Sequence, residues 1–162
     1  MIAPDPDLRG DLDLEVGPYA LRPVQESDAA DLFAEFSDPR VVEYMDMDPL
    51  TDPDQAFEIV AWAASLRARG AGLRWGIRDH DSGDWVGTCG FNTLMVERGR
   101  RGEVAYDLAA AWQGRGVMAR VLPAIIDVGF GRLALHRLEA MVTPGQNVFA
   151  PATLPWLVLA TT

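Results

Sequence analysis

The sequence has no lysine, one cysteine and only two histidines among 162 residues. A single cysteine, Cys89, excludes an internal disulfide and suits a reducing compartment, so we expect a cytoplasmic protein. The three histidine and cysteine residues show no ligand spacing, and we therefore predict no metal. All 14 basic residues are arginine, which indicates a coding bias rather than a function.

Long apolar runs and an excess of positive charge are also missing. No stretch approaches the ~20 apolar residues of a membrane-spanning helix. Acidic residues outnumber basic residues by 24 to 14, and the net charge is −10. Nucleic-acid binding needs a basic surface, so neither nucleic acid nor a membrane is an expected partner. The acidity weakly favours a cationic amine, although solubility is the simpler explanation.

The pattern of apolar and turn-forming residues predicts one α+β domain. Residues 1–12 are interpreted as a flexible acidic leader, residues 13–147 as the domain and residues 148–162 as an atypical apolar tail. The predicted strands are 16–23, 73–78, 85–94, 103–109 and 136–142. Helices are predicted after residues 28 and 53 and over residues 115–130, with a short helical turn at 40–45. The element order predicts a central mixed, mostly antiparallel sheet flanked by helices.

The apolar positions of the first two helices predict which sides face the core. These are Ala30, Leu32, Phe33 and Phe36 in the first helix, and Phe57, Val60, Ala61, Ala64 and Leu66 in the second.

A glycine-rich turn, Gln113-Gly114-Arg115-Gly116, lies between a predicted strand and a predicted helix. The first amides of a helix have no intrahelical partner, and the helix dipole adds positive charge there. Glycine lets the backbone approach an anion closely, and Arg115 adds a charged donor. The turn is therefore a candidate phosphate site. The alternative is an ordinary tight turn, and neither the Walker A nor the dinucleotide-binding pattern fits.

Five sequence blocks in order over residues 21–147 resemble the GCN5-related N-acetyltransferase (GNAT) superfamily, in particular its RimJ/RimL-like group. The glycine turn resembles the family's Gln/Arg-x-x-Gly-x-Gly/Ala motif, with Met118 at the last position. The other blocks are Leu21-Arg22-Pro23 with Ser27-Asp28-Ala29, Asp38-Pro39-Arg40-Val41, Trp85-Val86-Gly87-Thr88-Cys89-Gly90-Phe91, and His136-Arg137-Leu138-Glu139-Ala140 with Asn147. The resemblance implies a GNAT fold and transfer of an acetyl group from acetyl-CoA to a primary amine, which belongs either to a protein N-terminus or to a small molecule.

The resemblance also implies roles for particular residues. Glu103 is the candidate general base, and the alternative is an ion pair with Arg100 or Arg101. Asn147 would contact pantetheine, or is simply a turn residue. The backbone amides expected to hold pantetheine and polarise the thioester belong to Leu108, Ala109 and Ala110. The residues expected to bind the pyrophosphate are Gln113, Gly114, Arg115, Gly116, Val117, Met118 and Ala119.

Several other residues are predicted to have structural rather than functional roles, with a functional alternative for some. Asp46 and Asp48 lie where GNAT enzymes often line the acceptor site, so they either attract a cationic amine or are merely solvated. Cys89 is expected to be inert, and His136 to be structural. Three aromatic residues are interpreted as packing residues rather than a substrate cage: Trp75, Tyr106 and Trp112.

The resemblance ends at residue 147. The family continues with a serine, a last helix and closing strands, whereas residues 148–162 contain two prolines and no charge. One hypothesis is a frameshift, which reading the gene in its other frames would test. The alternative is a real tail, in which residues 154–160 form a strand beside residues 138–142. An open edge there would favour a homodimer. The rival function is a non-catalytic, CoA-binding or oligomerising GNAT remnant.

Overall fold

The computed structural model describes residues 8–43, 45–97, 99–142 and 157–161, with residues 141–142 and 157–161 described by their backbone alone. Within these residues the chain forms one seven-stranded sheet, whose strands lie side by side in chain order. The strands are β1 (Leu14–Val16), β2 (Tyr19–Pro23), β3 (Leu73–Asp79), β4 (Trp85–Met95), β5 (Arg101–Leu108), β6 (Arg137–Val142) and β7 (Leu157–Thr161). The helices are α1 (Ala29–Phe36), α2 (Pro39–Val42), α3 (Asp54–Ala68) and α4 (Val117–Phe130).

The sheet is antiparallel from β1 to β5 and parallel from β5 to β7. The predicted mixed, mostly antiparallel sheet is therefore confirmed. The single strand predicted over residues 16–23 is wrong, because a turn at Gly17 and Pro18 divides it into the hairpin of β1 and β2. Gly17 has a φ of +55°, which glycine adopts without steric cost.

Helices pack on both faces of the sheet, because neighbouring side chains along a strand point to opposite faces. One apolar cluster joins α4 to the sheet and includes Trp75, Phe91 and Ile125. The second joins the helices α1, α2 and α3, with Trp85 from the sheet. No helix among the described residues is long and apolar enough to cross a membrane.

The buried sides of α1 and α3 differ from the predicted ones. In α1 the buried residues are Ala29, Leu32, Glu35 and Phe36, and Ala30 is exposed. In α3 they are Ala56, Val60, Ala63 and Leu66, while Phe57, Ala61 and Ala64 are exposed. The expected stripe was broader than the surface that a helix presents to one neighbouring layer, so its outer members lie in solvent.

Residues 8–12 are part of the fold, which corrects their interpretation as a flexible leader. Leu8 and Leu12 are 2% and 3% exposed and belong to the core beneath α4. Trp75 Nε1 donates to the Leu12 carbonyl at 2.8 Å, and Arg67 Nε donates to the Leu8 carbonyl at 2.8 Å. These buried contacts, spread over two elements, fix the segment against the sheet.

The alternative in which the tail forms a strand is the arrangement observed. Backbone pairing joins β7 to β6 in parallel, from Leu138 opposite Leu157 to Val142 opposite Thr161. This pairing covers the edge of β6 that the sequence left open. The frameshift hypothesis concerns the gene and stays a prediction.

Candidate active site

The glycine-rich turn adopts a conformation that presents backbone amides to solvent. Gly114 and Gly116 both have φ of +76°, and residues 113–116 are exposed. Helix α4 begins at Val117, so the N–H groups of Val117, Met118 and Ala119 lack intrahelical acceptors. No side chain caps this end of the helix. The turn therefore offers unpaired donors and the positive end of a helix dipole to an anion such as a pyrophosphate.

Two side chains complete the turn. Arg115 is exposed, and its guanidinium carbon lies 4.8 Å from the centroid of the Trp112 ring, so the aromatic face holds the cation beside the helix end. Gln113 Nε2 donates to the Leu108 carbonyl at 3.2 Å. The Gln113 side chain therefore ties the turn to the end of β5, and its backbone N–H donates to the Ala110 carbonyl at 3.3 Å.

The C-terminal half of β5 has an open edge. Among the described residues, parallel pairing with β6 ends at Val104 opposite Ala140, although β5 continues to Leu108. In an antiparallel pair, backbone groups alternate between pointing to the partner strand and pointing away from it. Ala109 N–H donates to the Val86 carbonyl at 2.9 Å, so Leu108 N–H points away from β4, towards the open edge.

This alternation separates the three amides expected to hold pantetheine. Leu108 N–H faces the open edge, where a thioester carbonyl would meet it. Ala109 N–H is not available, because it is bonded to Val86. Ala110 begins the 3-10 turn Ala110–Trp112, which leads from β5 to the glycine turn. The open edge and the amide donors of α4 are thus linked by nine residues, from Leu108 to Gly116.

Glu103 lies at the other end of β5. It is half-buried, opposite Thr93 of β4 and beside Glu139 of β6. Within the described residues its carboxylate has no ion pair: Arg101 pairs with Glu139 at 3.8 Å, and Arg100 donates to the Leu133 and Ala134 carbonyls. Glu103 lies five positions before Leu108 along the extended strand, a separation of about 16 Å. The Glu103 carboxylate is therefore too far from the Leu108 amide for both to contact the same atom.

A buried polar cluster lies on the face of the sheet covered by α1 and α3. Arg74 and Asp107 have side chains that are 7% and 8% exposed, and Nη2 of Arg74 lies 3.2 Å from Oδ2 of Asp107. The Thr88 hydroxyl donates to Oδ2 of Asp107 at 2.7 Å and accepts a bond from Arg74. Arg74 also donates to Asn92 Oδ1 at 3.2 Å and to the Ala105 carbonyl at 2.9 Å. The cluster joins three strands in one network.

Glu35 of α1 adds a second carboxyl group to this cluster. It is 3% exposed, and its Oε2 accepts a hydrogen bond from Trp85 Nε1 at 2.7 Å. Burial, followed by the negative charge of Asp107, raises the pKa of Glu35 well above its ordinary value. Its other oxygen, Oε1, is buried without a hydrogen-bond partner among the described residues. Burial and the neighbouring Asp107 carboxylate therefore both favour the protonated form of Glu35.

An open cavity of about 220 Å³ lies between this cluster and the helices α1 and α3. Its polar lining residues are Arg74, Thr88, Asn92 and Asp107. Its apolar and aromatic lining consists of Val24, Leu32, Phe36, Met45, Met47, Ile59, Trp62, Ala63, Ala105 and Tyr106. Residues 105–107, which form one wall, belong to the same half of β5 that has the open edge.

Comparison with known proteins identifies this arrangement. A family model described as the acetyltransferase (GNAT) domain matches residues 19–147. The chain belongs to the GNAT acetyltransferase family. An uncharacterised N-acetyltransferase of Bacillus licheniformis, p20, is 37% identical over 124 residues, which are 76% of this chain and 69% of that protein. The prediction of a GNAT-family N-acetyltransferase is confirmed.

Solved structures show the same fold at lower identity. RimJ of Mycobacterium smegmatis, in complex with CoA-disulfide, matches with a TM-score of 0.72 and 22% identity, covering 83% of this chain and 68% of that one. The spermidine N-acetyltransferase of Vibrio cholerae, in complex with CoA and spermine, matches with a TM-score of 0.61 and 18% identity, covering 75% and 69%. The predicted fold class and the RimJ/RimL-like resemblance are both confirmed.

The remaining residues of this GNAT domain divide between core and surface. Trp75 is fully buried against Phe91, with ring centroids 6.1 Å apart, as expected of a packing residue. Trp112 is half-buried and packs edge-on against Tyr19 at 6.4 Å. Tyr106 is half-buried, and burial raises its pKa. His136 is exposed, immediately before β6.

Cys89 is fully buried, and burial raises the pKa of its thiol to about 12. The reactive thiolate is therefore scarce at neutral pH, in keeping with an inert cysteine.

Asp46 and Asp48 are exposed, whereas Met45 and Met47, which alternate with them along the loop, both line the cavity. The loop thus turns its thioethers inward and its carboxylates to solvent. Asn147 lies outside the described residues. Among the described residues, no group of three or more histidine, cysteine or acidic side chains is arranged to hold a metal ion.

The sequence pattern did not predict a functional role for Arg74, Asp107 or Glu35. A charge inside an apolar strand, as in Leu73-Arg74-Trp75, is the signal that was available, because such a charge needs a buried partner. Which carboxylate serves as that partner depends on the pairing of β3, β4 and β5, and this pairing is not visible in the local pattern.

Proposed function

We propose that this chain transfers the acetyl group of acetyl-CoA to a primary amine by direct attack of the amine on the thioester. The single observation that carries the proposal is the open half of β5, which leads through the turn at Gly114 and Gly116 to the free amides of α4. CoA bound along this path would place its pyrophosphate at the helix end and its thioester near Leu108. The family match supports acyl transfer to an amine as the reaction.

Each part of the path has a distinct role. The amides of Val117 to Ala119, with Arg115, neutralise and orient the pyrophosphate. Leu108 N–H donates to the thioester carbonyl oxygen and stabilises the negative charge that develops there as the amine attacks. The amine approaches from the cavity on the other face of β5. Expulsion of the CoA thiolate then completes the transfer, and the second proton lost by the amine nitrogen is taken up by the thiolate sulfur, which gives the free thiol of CoA.

Glu103 is proposed as the general base, acting through water. An alkyl ammonium must lose a proton before it can attack, and a carboxylate without an ion pair among the described residues is free to accept one. Its distance from Leu108 makes a direct transfer impossible, so a relay of water along the face of β5 is part of the proposal. A cytoplasmic location, a homodimer and a contact from Asn147 stay predictions.

The experiment is acetyl-CoA turnover with a panel of primary amines, measured beside CoA binding. Glu103→Gln should lower kcat by about 10²-fold or more while the Kd for CoA stays unchanged. Glu139→Gln is the matched control, because Glu139 occupies the adjacent register position on β6 but is paired with Arg137 at 3.0 Å. An unchanged kcat in Glu103→Gln would remove the role of base. CoA binding without turnover of any amine would favour the non-catalytic remnant.

A further inference from the structure

The cavity beside β5 contains no unpaired charge among its described lining residues. Arg74 and Asp107 are its two charged members, and they neutralise each other across 3.2 Å. Asp107 is already engaged on both oxygens, because Oδ1 accepts from Thr88 N–H at 3.1 Å and Oδ2 accepts from the Thr88 hydroxyl and Arg74. Three of the roughly four acceptor sites of this carboxylate are therefore occupied, which leaves little capacity to bind a second, distant ammonium group.

Most of the cavity lining is formed by apolar side chains. Met45 and Met47 of the loop after α2 and Trp62 of α3 belong to this lining, together with Leu32, Phe36 and Ile59. The carboxylates of Asp46 and Asp48 point to solvent, where counterions and water screen them. A second ammonium beside the thioethers would give up part of its hydration and would meet no unpaired carboxylate among the described lining residues, whereas an alkyl or aryl group would gain contact area.

We propose that this cavity accepts a monoamine with an apolar substituent in preference to a diamine or polyamine. The inference rests on the proposed function, since it takes the cavity to be the acceptor site. It runs against the expectation from net charge alone, which favoured a cationic partner. The lining of the cavity, rather than the net charge, decides which amine binds. The carboxylates of Asp46 and Asp48, which would attract a polyamine, are exposed to solvent, whereas the described lining that would contact the substrate has no net charge.

Two amines of equal length test the preference. Hexylamine and 1,5-diaminopentane differ in that a terminal methyl group is replaced by a second ammonium. At physiological ionic strength we expect kcat/KM to be at least tenfold higher for hexylamine. A higher kcat/KM for the diamine would overturn the proposed preference and leave the transferase activity standing.

Two exposed aromatic residues on α3 provide a matched pair of variants. Trp62 is 43% exposed and lines the cavity, whereas Phe57 is 49% exposed and does not. Trp62→Ala should raise KM for hexylamine at least fivefold with little change in kcat, and Phe57→Ala should leave KM within twofold. Equal effects of the two variants would overturn the proposal. Met47→Glu, which adds a carboxylate to the wall, should shift the preference towards 1,5-diaminopentane.

Binding measurements separate this inference from the proposed function. Isothermal titration of the CoA-bound protein with hexylamine should show binding that Trp62→Ala weakens. Tighter binding of hexylamine than of 1,5-diaminopentane, without turnover of any amine in the panel, would overturn the transferase activity and support the preference of the cavity. The absence of both hexylamine binding and turnover would overturn both proposals.

Discussion

The two candidate sites beside β5, one for CoA and one for the acceptor amine, are built in different ways. Towards α4 and the glycine turn, the candidate CoA site consists of exposed backbone amides, whose direction is set by two glycines with φ of +76°. On the opposite face, the cluster of Arg74, Asp107 and Thr88 consists of buried side chains from three strands. The first site depends on local conformation and the second on long-range pairing. Substitutions at the glycine turn should therefore mainly weaken CoA binding, whereas substitutions in the buried cluster should mainly lower the stability of the fold.

The largest expected effect comes from removing the buried partner of Arg74. Asp107→Ala should lower the free energy of unfolding by about 3–5 kcal/mol, because it leaves a buried guanidinium without its carboxylate. Urea denaturation measures this, and Asp48→Ala, an exposed change, should stay within about 0.5 kcal/mol of the wild type. A loss below about 1 kcal/mol would mean that Glu35 ionises and replaces Asp107, and the cluster would then be adaptable rather than specific.

The next effect concerns pH. Because the pKa of Glu35 is raised in the folded protein, this group keeps its proton where the unfolded chain has lost its own. Its contribution to stability is complete below the ordinary carboxyl pKa and is lost as pH rises through the folded value. Glu35→Gln, which is neutral and retains an acceptor for Trp85, should become more stable relative to wild type as pH rises. Parallel pH profiles of unfolding for the two proteins would contradict the buried neutral acid.

A pair of glycines tests the candidate CoA site. Gly83 and Gly116 share φ of +76°, and an added Cβ would meet nothing within 4 Å at either position. Substitution by alanine should therefore destabilise both by about 1–2 kcal/mol, through backbone strain alone. Gly116→Ala should also weaken CoA binding, whereas Gly83→Ala should not. Equal CoA affinities in the two variants, measured by titration calorimetry, would argue against a pyrophosphate at this turn.

The smallest effect is expected from Arg115. Arg115→Ala removes one exposed charged donor, which is worth roughly 0.3–1 kcal/mol at a helix end, so CoA affinity should fall about two- to fivefold. Arg69→Ala, on the exposed side of α3, should leave CoA affinity unchanged. The loss in Arg115→Ala should also shrink at high salt, and a salt-independent loss would point to packing on Trp112 rather than to charge.

Prediction from sequence succeeded where the determinant is local. The glycine turn, the start of a helix after it and the hairpin of β3 and β4 follow from short-range conformational preference, and the structure has each of them. Prediction was less successful where the outcome depends on which other element a helix or strand packs against or pairs with. Phe57 was expected in the core but is exposed, since helical spacing alone does not tell how wide a buried side is. The Ala109 amide was expected to hold pantetheine, but its N–H donates a hydrogen bond to the Val86 carbonyl.

The sequence by itself determined the family, the order of the elements and the glycine turn, because each depends on residues close together in the chain. Only the tertiary structure decided which amides stay free, which charges are neutralised and what lines the cavity. The free amide of Leu108 depends on where β6 separates from β5, and the partner of Arg74 lies 33 residues away. Both depend on strand pairing. Pairing results from many weak interactions between residues far apart in the chain, so no single sequence motif reveals it.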